Sequence, residues 1–341
     1  MKLRTAIAGA AAAILTLAAA GCGGGDAAKP GGSGGTEDVT LMLNWYPYGE
    51  HAAFYYGVEK GIFAKHGINL DIKAGQGSTK TTQAVGSKQV DFGWADTPAV
   101  LSNIDKGVPV KSVGVFLQTT PSSVQVFADS GINTVTDLKG KTIATSAGDA
   151  PTVTFPVFLE KSGLAPDDVK QQNLDPAGKI SAVLSGQVDG LIGFAHDQGP
   201  TIANKSGKEM RYFRYSDAGL NYYSNGLISN EATIKDKPEL VKELVAATSE
   251  AHQAAVENPE EAVKSMVGKD PQMPPEPVLT QQWSETTKLL STDKTKGKAP
   301  GTNDASDWDA TIKVLADAKL ISEAKPADTY FDKSFQPAAA Q

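Results

Sequence analysis

The stretch Gly86-Ser-Lys-Gln-Val-Asp-Phe-Gly-Trp-Ala95 decides the architecture of this chain, because its pattern occurs twice. It reads as the end of a helix, a turn of small residues, a Val-Asp pair and an apolar strand. The same pattern returns in Ser185-Gly-Gln-Val-Asp-Gly-Leu-Ile-Gly193. A match this short is not a solenoid repeat. It is what two similar α/β lobes would share, so the sequence predicts two lobes built on one plan.

Strand and helix patterns alternate on both sides of the first copy. Short runs rich in apolar residues predict strands at 39–44, 69–73, 90–95 and 108–117. Segments between these strands predict helices at 51–65, 78–85 and 97–106. Such a βαβα order is typical of a largely parallel sheet covered by helices. The second copy has similar strand patterns at 124–127, 142–145 and 190–194, so the predicted fold class is α/β with two parallel-rich sheets.

The predicted lobes are discontinuous in sequence. Lobe 1 is assigned residues 39–119 and 225–325, and lobe 2 is assigned residues 120–224. Crossovers near 118–123 and 222–229 would form a two-strand hinge, and hinge closure around a ligand is a known motion of two-lobed binding proteins. Residues 326–341 are assigned to a C-terminal tail, whose order is left open.

Residues 1–21 have the layout of a secretory signal peptide, with Lys2 and Arg4 before an apolar run at 6–20. That run is too short to span a bilayer comfortably. It is followed by Cys22, as in a bacterial lipoprotein signal, and Cys22 is the only cysteine of the chain. A single cysteine excludes an internal disulfide. Lipidation of Cys22 is predicted, and the alternative is an ordinary cleaved signal that happens to contain cysteine.

The Gly-rich segment 22–38 cannot bury a core and is predicted to be a flexible tether. It would connect a lipid anchor in the membrane to the folded part. Removal of Lys2 and Arg4 with the signal peptide changes the formal net charge from −7 to −9. Nucleic-acid binding relies on clustered basic residues, so a nucleic-acid partner is not expected.

Candidate ligand contacts in lobe 1 follow its strands, because open α/β sheets bind ligands beyond the carboxyl ends of their strands. The loop after the first strand offers aromatic faces for stacking on a flat ring, with an amide and an imidazole for its polar edge. Packing of the lobe surface is the alternative role. The candidates in this loop are Asn44, Trp45, Tyr46 and His51.

Two further pairs of candidates follow the next strands of lobe 1. Gly77 and Ser78 open a helix whose N–H groups could bind a carboxylate, phosphate or carbonyl, and helix capping is the alternative. Trp94 is a candidate wall for ring stacking. Asp96 either caps the next helix or accepts a hydrogen bond from an amine of the ligand.

Lobe 2 supplies the candidates that would face these groups across the cleft: Ser146, Asp149, Phe194 and His196. His196 and Asp197 are not expected to form a catalytic dyad, because neighbours on a strand point to opposite faces. The histidines lack the spacings of zinc sites, and there is no Gly-x-Ser-x-Gly elbow. No catalytic residue, metal or cofactor is therefore expected.

Asn44-Trp45-Tyr46-Pro47, followed by His51, resembles the opening of the thiamine-pyrimidine-synthase-like and sulfonate-binding-like solute receptors. Further segments match the same superfamily over roughly 39–290, namely 59–63, 90–93, 137–141, 185–189 and 223–228. The resemblance implies a type II periplasmic-binding-protein fold. It also implies a receptor, expected to be monomeric, that is held by its lipid anchor at the outer face of the cytoplasmic membrane. There it would pass a solute to the permease and ATPase subunits of an ABC transporter.

Among these relatives, an Asn-Trp-x-Pro opening followed by histidine is most similar to receptors for pyrimidine precursors of thiamine. The aromatic residues of 44–56 agree with a ring-bearing ligand. Aromatic carboxylates, sulfonates, taurine and nitrate are the alternatives. The fungal branch is a pyrimidine synthase with a histidine and a Cys-rich motif, and this sequence departs from it because Cys22 is its only cysteine. An enzyme is therefore a remote alternative, and a purely structural lipoprotein is another.

Overall fold

The computed structural model describes residues 36–337. The signal peptide predicted for 1–21 and Cys22 lie outside the described residues, as does most of the tether predicted for 22–38. Strand β1 (Glu37–Met42) includes the last two positions assigned to that tether, so the folded part begins earlier than predicted. No helix within this range has the length and apolar character needed to cross a bilayer.

Two five-stranded sheets form the centre of the described chain. The strands that follow β1 are β2 (Ile68–Lys73), β3 (Phe92–Asp96), β4 (Val110–Val115), β5 (Ser122–Phe127), β6 (Thr142–Thr145), β7 (Lys170–Asn173), β8 (Gly190–Phe194), β9 (Met210–Arg214) and β10 (Asn225–Asn230). The first sheet has the order β2-β1-β3-β10-β4 and the second the order β7-β6-β8-β5-β9. In each sheet one strand, β10 or β5, is antiparallel to both neighbours, and the other four run in one direction. Both sheets are therefore parallel-rich and share one plan.

Helices pack on the sheets and complete two lobes, which are named here after the first and second sheet. The helices are α1 (Ala52–Glu59), α2 (Ile62–Lys65), α3 (Ser78–Gly86), α4 (Thr97–Asp105), α5 (Ala150–Lys161), α6 (Pro176–Leu184), α7 (Gln198–Ser206), α8 (Glu231–Asp236), α9 (Pro238–Glu257), α10 (Pro259–Met266), α11 (Glu276–Thr287) and α12 (Ala305–Asp317). Apolar residues of α1 and α9 pack on one face of the first sheet. Those of α3, α4 and α12 pack on the other. Strand β3 is consequently buried over its whole length.

The two copies of the Val-Asp pattern hold equivalent positions in the two lobes. In the first lobe, the carboxylate of Asp91 accepts hydrogen bonds from the backbone N–H and the hydroxyl of Thr40, at 2.8 and 2.7 Å. In the second lobe, the carboxylate of Asp189 accepts from the N–H of Thr142 at 2.8 Å. Each aspartate thus fixes the turn before a central strand to the neighbouring strand, which explains why the pattern occurs twice.

The chain crosses between the sheets twice, after β4 and after β9. The two crossings run side by side, since the N–H of Ser224 donates to the carbonyl of Leu117 at 2.8 Å. Both crossings, at 116–121 and 215–224, end earlier in the chain than the predicted 118–123 and 222–229. Ser122 already belongs to β5, and Asn225 already belongs to β10.

The segment assigned to a C-terminal tail packs on the first sheet over its described part. The N–H of Ser112 in β4 donates to the carbonyl of Tyr330 at 2.9 Å, and the N–H of Asp332 donates to the carbonyl of Ser112 at 3.0 Å. The side chains of Tyr330, Phe331 and Phe335 are buried. The described end of the chain is therefore an ordered edge of the first lobe.

Candidate functional site

A small cavity lies between the two lobes, where the carboxyl ends of their parallel strands face each other. The first lobe lines it with Asn44, Trp45, Tyr48, Gly77 and Ser78. The second lobe lines it with Asp149, Ala150, Pro151, Gly193, Phe194, Asp197 and Gln198. A ligand is expected at this position, because open α/β sheets bind ligands beyond the carboxyl ends of their strands.

Six of the predicted contacts line this cavity: Asn44, Trp45, Gly77, Ser78, Asp149 and Phe194. The other six are buried around it but do not line it: Tyr46, His51, Trp94, Asp96, Ser146 and His196. Their side chains bind or pack against protein groups. They would therefore act on a ligand through their neighbours.

The loop after β1 fixes the amide of Asn44 through a buried histidine. The N–H of Tyr48 donates to Nδ1 of His51 at 3.3 Å, so Nε2 carries the proton and donates to Oδ1 of Asn44 at 2.8 Å. Burial lowers the pKa of His51 to about 4, which keeps the ring neutral. The carbonyl oxygen of Asn44 is thus used within the protein, and its NH₂ group is the part that can donate to a ligand.

Trp45 presents an aromatic ring and an unused donor at the cavity. Its indole is 5% exposed, and Nε1 has no hydrogen-bond partner within residues 36–337. The ammonium of Lys179, from the second lobe, lies 5.0 Å from the centroid of its ring. This cation–π contact joins the lobes, and the free N–H is a natural donor to an acceptor on a ligand.

The loop before α3 closes one end of the cavity by backbone contact with the second lobe. Gly77 has φ of +116°, and a Cβ there would lie 2.7 Å from the carbonyl oxygen of Gly148. The N–H of Thr79 donates to that same oxygen at 3.2 Å. The N-terminus of α3 has no side-chain cap. The hydroxyl of Ser78 instead accepts from the N–H of Asp96 at 3.0 Å.

Asp149 and Lys179 form a buried ion pair on the second lobe. One oxygen of Asp149 caps α5 by accepting from the N–H of Thr152 at 2.8 Å. The other accepts from Nζ of Lys179 at 2.7 Å, and Nζ also donates to the carbonyl of Ile192 at 2.8 Å. Phe194, the remaining predicted contact here, packs with Ala99 and Ala150. The second lobe thus contributes one ring and one satisfied ion pair.

Trp94, predicted as a wall for ring stacking, does not line the cavity. Its ring is fully buried between Phe54, Phe116 and His252, with centroid distances of 5.0, 5.5 and 5.6 Å. Its Nε1 donates to Oε1 of Glu50 at 2.6 Å. Because β3 is covered on both faces, a ring in this strand packs into the core.

Asp96 does not cap α4 with its side chain, and it does not line the cavity. Its Oδ1 accepts from the hydroxyl of Ser224 at 2.5 Å, while Oδ2 has no partner within the described residues. Burial raises the pKa of Asp96 to about 8, and the nearby charges of Glu50 and Asp149 contribute to this rise. The carboxyl is therefore protonated near neutral pH.

Ser146, Tyr46 and His196 are also directed to protein groups. The hydroxyl of Ser146 donates to the carbonyl of Leu174 at 2.7 Å. The hydroxyl of Tyr46 donates to Oδ1 of Asp197 at 3.1 Å, across the cleft. Nε2 of His196 lies 2.7 Å from Oε2 of Glu50, also across the cleft.

Glu50 is a functional residue that the sequence analysis missed. Its fully buried carboxylate accepts from Nε1 of Trp94, the Nδ2 group of Asn225, the hydroxyl of Tyr48 and Nε2 of His196. Burial by itself would raise its pKa, but the hydrogen bond and charge of His196 and the other donors lower the pKa to about 2. Glu50 is therefore a charged centre held by donors from both lobes.

Other residues around the cavity were missed as well, and only some left a signal in the sequence. Asp197 and Gln198 follow the carboxyl end of β8, where open α/β sheets bind ligands, so the argument that predicted Phe194 applies to them as well. Lys179 is a single charge in an otherwise apolar helix, which is a recognisable anomaly. Gln282 lies on α11, far along the chain, and no pattern marks it.

The sequence profile of the NMT1/THI5-like family matches residues 49–262, which is well over half of the chain. A formylaminopyrimidine-binding protein of Halalkalibacterium halodurans is 26% identical over 283 residues, covering 82% of this chain and 84% of that protein. A 4-amino-5-hydroxymethyl-2-methylpyrimidine phosphate synthase of Legionella pneumophila is 26% identical over 303 residues, covering 88% of this chain and 92% of that protein.

Among solved structures, the alkanesulfonate-binding protein SsuA of Xanthomonas axonopodis pv. citri superposes with a TM-score of 0.67. It is 16% identical, and the match covers 87% of this chain and 99% of that one. The likeness extends over both lobes. The fold is therefore the two-lobed type II periplasmic-binding-protein fold that the sequence predicted.

Proposed function

The chain belongs to the NMT1/THI5-like family, and we propose that it is an extracytoplasmic receptor that binds a small ring-bearing solute for an ABC importer. The observation that carries this proposal is a small cavity lined by both lobes, which are joined by a double crossing. The cavity is too narrow in this closed arrangement to admit a ring, so a solute would enter only after the lobes separate.

A pyrimidine precursor of thiamine is the proposed ligand class. The indole of Trp45 and the ring of Phe194 offer aromatic surfaces from opposite lobes. The NH₂ of Asn44 and Nε1 of Trp45 can donate to ring nitrogens or to a substituent oxygen. The similarity to a formylaminopyrimidine-binding protein supports this class over a sulfonate or nitrate.

The proposed contacts with the ligand are Asn44, Trp45, Gly77, Ser78, Asp149 and Phe194. Because both lobes contribute to this set, the ligand is enclosed only when the lobes close. Closure would expel water and strengthen each polar contact in the cavity. The closed form would then dock on the permease, and ATP hydrolysis in the transporter would drive release.

Membrane attachment is a separate part of the proposal. Cys22 follows a signal-like segment and precedes a Gly-rich segment of suitable length for a tether. A lipid on Cys22 would keep the receptor at the outer face of the cytoplasmic membrane. Mass spectrometry of the N-terminal peptide from the native host tests this, because a diacylglycerol-type modification on Cys22 is expected and an unmodified cysteine would contradict it.

A thermal-shift screen of the purified protein tests the ligand. The panel contains aminopyrimidines, thiamine, riboflavin, benzoate-type acids, taurine, alkanesulfonates and nitrate. A ligand at 100 times its dissociation constant stabilises the native state by about 2.7 kcal/mol. A shift with aminopyrimidines alone is expected. A shift with sulfonates or aromatic acids would keep the receptor and replace the ligand.

Pyrimidine synthesis is the second candidate, because one relative of similar identity is named as a synthase. The Cys-rich motif expected of the fungal branch is absent from the 341-residue sequence, which has a single cysteine. We therefore propose that the protein binds the solute without catalysing a reaction. Mass spectrometry for newly formed pyrimidine, after incubation of the protein in a cell extract without added pyrimidine, separates the two candidates, because a synthase would form it and a receptor would not.

A further inference from the structure

A second set of contacts joins the lobes beside the cavity. It consists of Glu50, His196, Asp197 and Gln282, and it is called the closure latch here. Nε2 of His196, on the second lobe, donates to Oε2 of Glu50, on the first, at 2.7 Å. All four side chains are at least 97% buried. Of the four, only Asp197 also touches the cavity.

Gln282 holds the same two loops together from the side of α11. Its Oε1 accepts from the N–H of Gly49 at 2.9 Å, and its Nε2 donates to the carbonyl of Asp197 at 3.0 Å. A Cβ on Gly49 would lie 2.4 Å from Cβ of Gln282. Glycine therefore lets α11 approach the loop closely enough for one side chain to bind both lobes.

The latch is connected to the crossing between the lobes. The second oxygen of Glu50 accepts from Asn225, the first residue of β10, and from Nε1 of Trp94 in β3. Asn225 follows the second crossing directly. Glu50 is thus fixed to the first sheet and to the end of the hinge, while its remaining oxygen is shared by Tyr48 of the first lobe and His196 of the second.

We propose that Glu50 and His196 are positioning residues that hold the lobes closed and thereby set ligand affinity without touching the ligand. Only the part about affinity rests on the proposed function. If the closed form is the one that binds, the apparent dissociation constant rises as the closed fraction falls. His196 is accordingly reassigned from a ligand contact to the latch.

Small-angle X-ray scattering of the ligand-free protein tests the latch directly. We expect His196→Ala to scatter as a more open particle than the wild type. Loss of one hydrogen bond to a buried charge is expected to shift the open–closed equilibrium by about 10- to 100-fold. His196→Gln, which keeps an N–H donor, is expected to restore closure in large part.

His252→Ala is the matched control. His252 is another fully buried histidine, but it packs within the first lobe against Trp94 and Phe116. Its loss is expected to lower the melting temperature without opening the lobes. A merely structural role for His196 would give the same result in both variants. If His196→Ala does not fold, Glu50→Gln, which loses the charge but keeps an acceptor, takes its place.

The outcomes separate this inference from the proposed function. An open His196→Ala variant supports the latch even if no aminopyrimidine binds the wild type. A His196→Ala variant that scatters like the wild type overturns the latch. Where an aminopyrimidine does bind, its affinity is expected to fall about 10- to 100-fold in His196→Ala. Unchanged affinity in an opened variant would overturn the link to binding.

Discussion

Trp45 and Trp94 come from neighbouring strands of one sheet and are used in opposite ways. Trp45 follows β1, lines the cavity and keeps its indole N–H unused within the described residues. Trp94 lies within β3, and its N–H donates to Glu50 at 2.6 Å. Both rings are almost fully buried, so burial does not distinguish them. The use of the indole N–H distinguishes them, because a buried donor with no protein partner is available to a ligand.

The largest expected effect that tests this contrast is loss of Trp94. Trp94→Ala removes a ring packed against Phe54, Phe116 and His252, and removal of a core tryptophan costs about 3–5 kcal/mol. It also removes a donor from the buried charge of Glu50. Urea unfolding is expected to show a loss of this size, and Trp94→Phe should recover part of it. A stable Trp94→Ala variant that has lost only ligand binding would reverse the assignment.

The second expected effect is a fall in stability as the pH rises from about 6.5 to 8. Burial raises the pKa of Asp96, beside Trp94, and of Asp197, in the second lobe, to about 8. The folded state then keeps protons that the unfolded state has lost, so rising pH favours unfolding until both carboxyls ionise in the folded state. Each aspartate lowers the free energy of unfolding by at most about 1.4 kcal/mol per pH unit in this range.

Histidines set the lower limit of that pH window. Burial lowers the pKa of His51 and His252 to about 4, so these residues stabilise the folded state progressively as pH rises from 4 to 6.5. Between pH 4 and 6.5 the effect of these histidines on stability opposes that of the two aspartates, whereas above pH 6.5 the histidines have no such effect. Denaturant titrations at several pH values measure the slope. Asp96→Asn and Asp197→Asn should each flatten it, and a flat wild-type profile between 6.5 and 8 would show that neither carboxyl is protonated.

Loss of Trp45 is expected to affect binding much more than folding. Stacking of a ring on an aromatic side chain is worth about 1–3 kcal/mol, so Trp45→Ala should weaken aminopyrimidine binding about 5- to 150-fold in calorimetry. The free energy of unfolding should change by less than it does for Trp94→Ala. Trp45→Phe keeps a ring but loses the N–H, so it separates stacking from the hydrogen bond. Equal affinities for wild type and Trp45→Ala would remove Trp45 from the site.

The sequence predicted the general plan of the fold because local patterns carry it. The aspartates of the Val-Asp turns before β3 and β8, for example, both accept from a backbone N–H of the neighbouring strand. Asn44 and Trp45 were predicted because they follow a strand directly. The core position of Trp94 did not follow from the sequence, since position near a strand end does not tell which face of the strand a helix covers. Gln282 could not be found at all, because only tertiary packing brings α11 to the cleft.

The smallest expected effect contrasts two glycines of the first lobe that both have positive φ. A Cβ on Gly67, at φ +71°, would have no atom within 4 Å, whereas a Cβ on Gly77, at φ +116°, would lie 2.7 Å from the carbonyl oxygen of Gly148 in the second lobe. Each alanine variant should lose about 1–2 kcal/mol of stability from backbone strain. Only Gly77→Ala should also weaken ligand binding, because its methyl group would hold the loops of the two lobes apart. If both variants bind equally well, the contact between Gly77 and Gly148 is not needed for closure, and the closed lobes must be held by the groups around Trp45 and Glu50 instead.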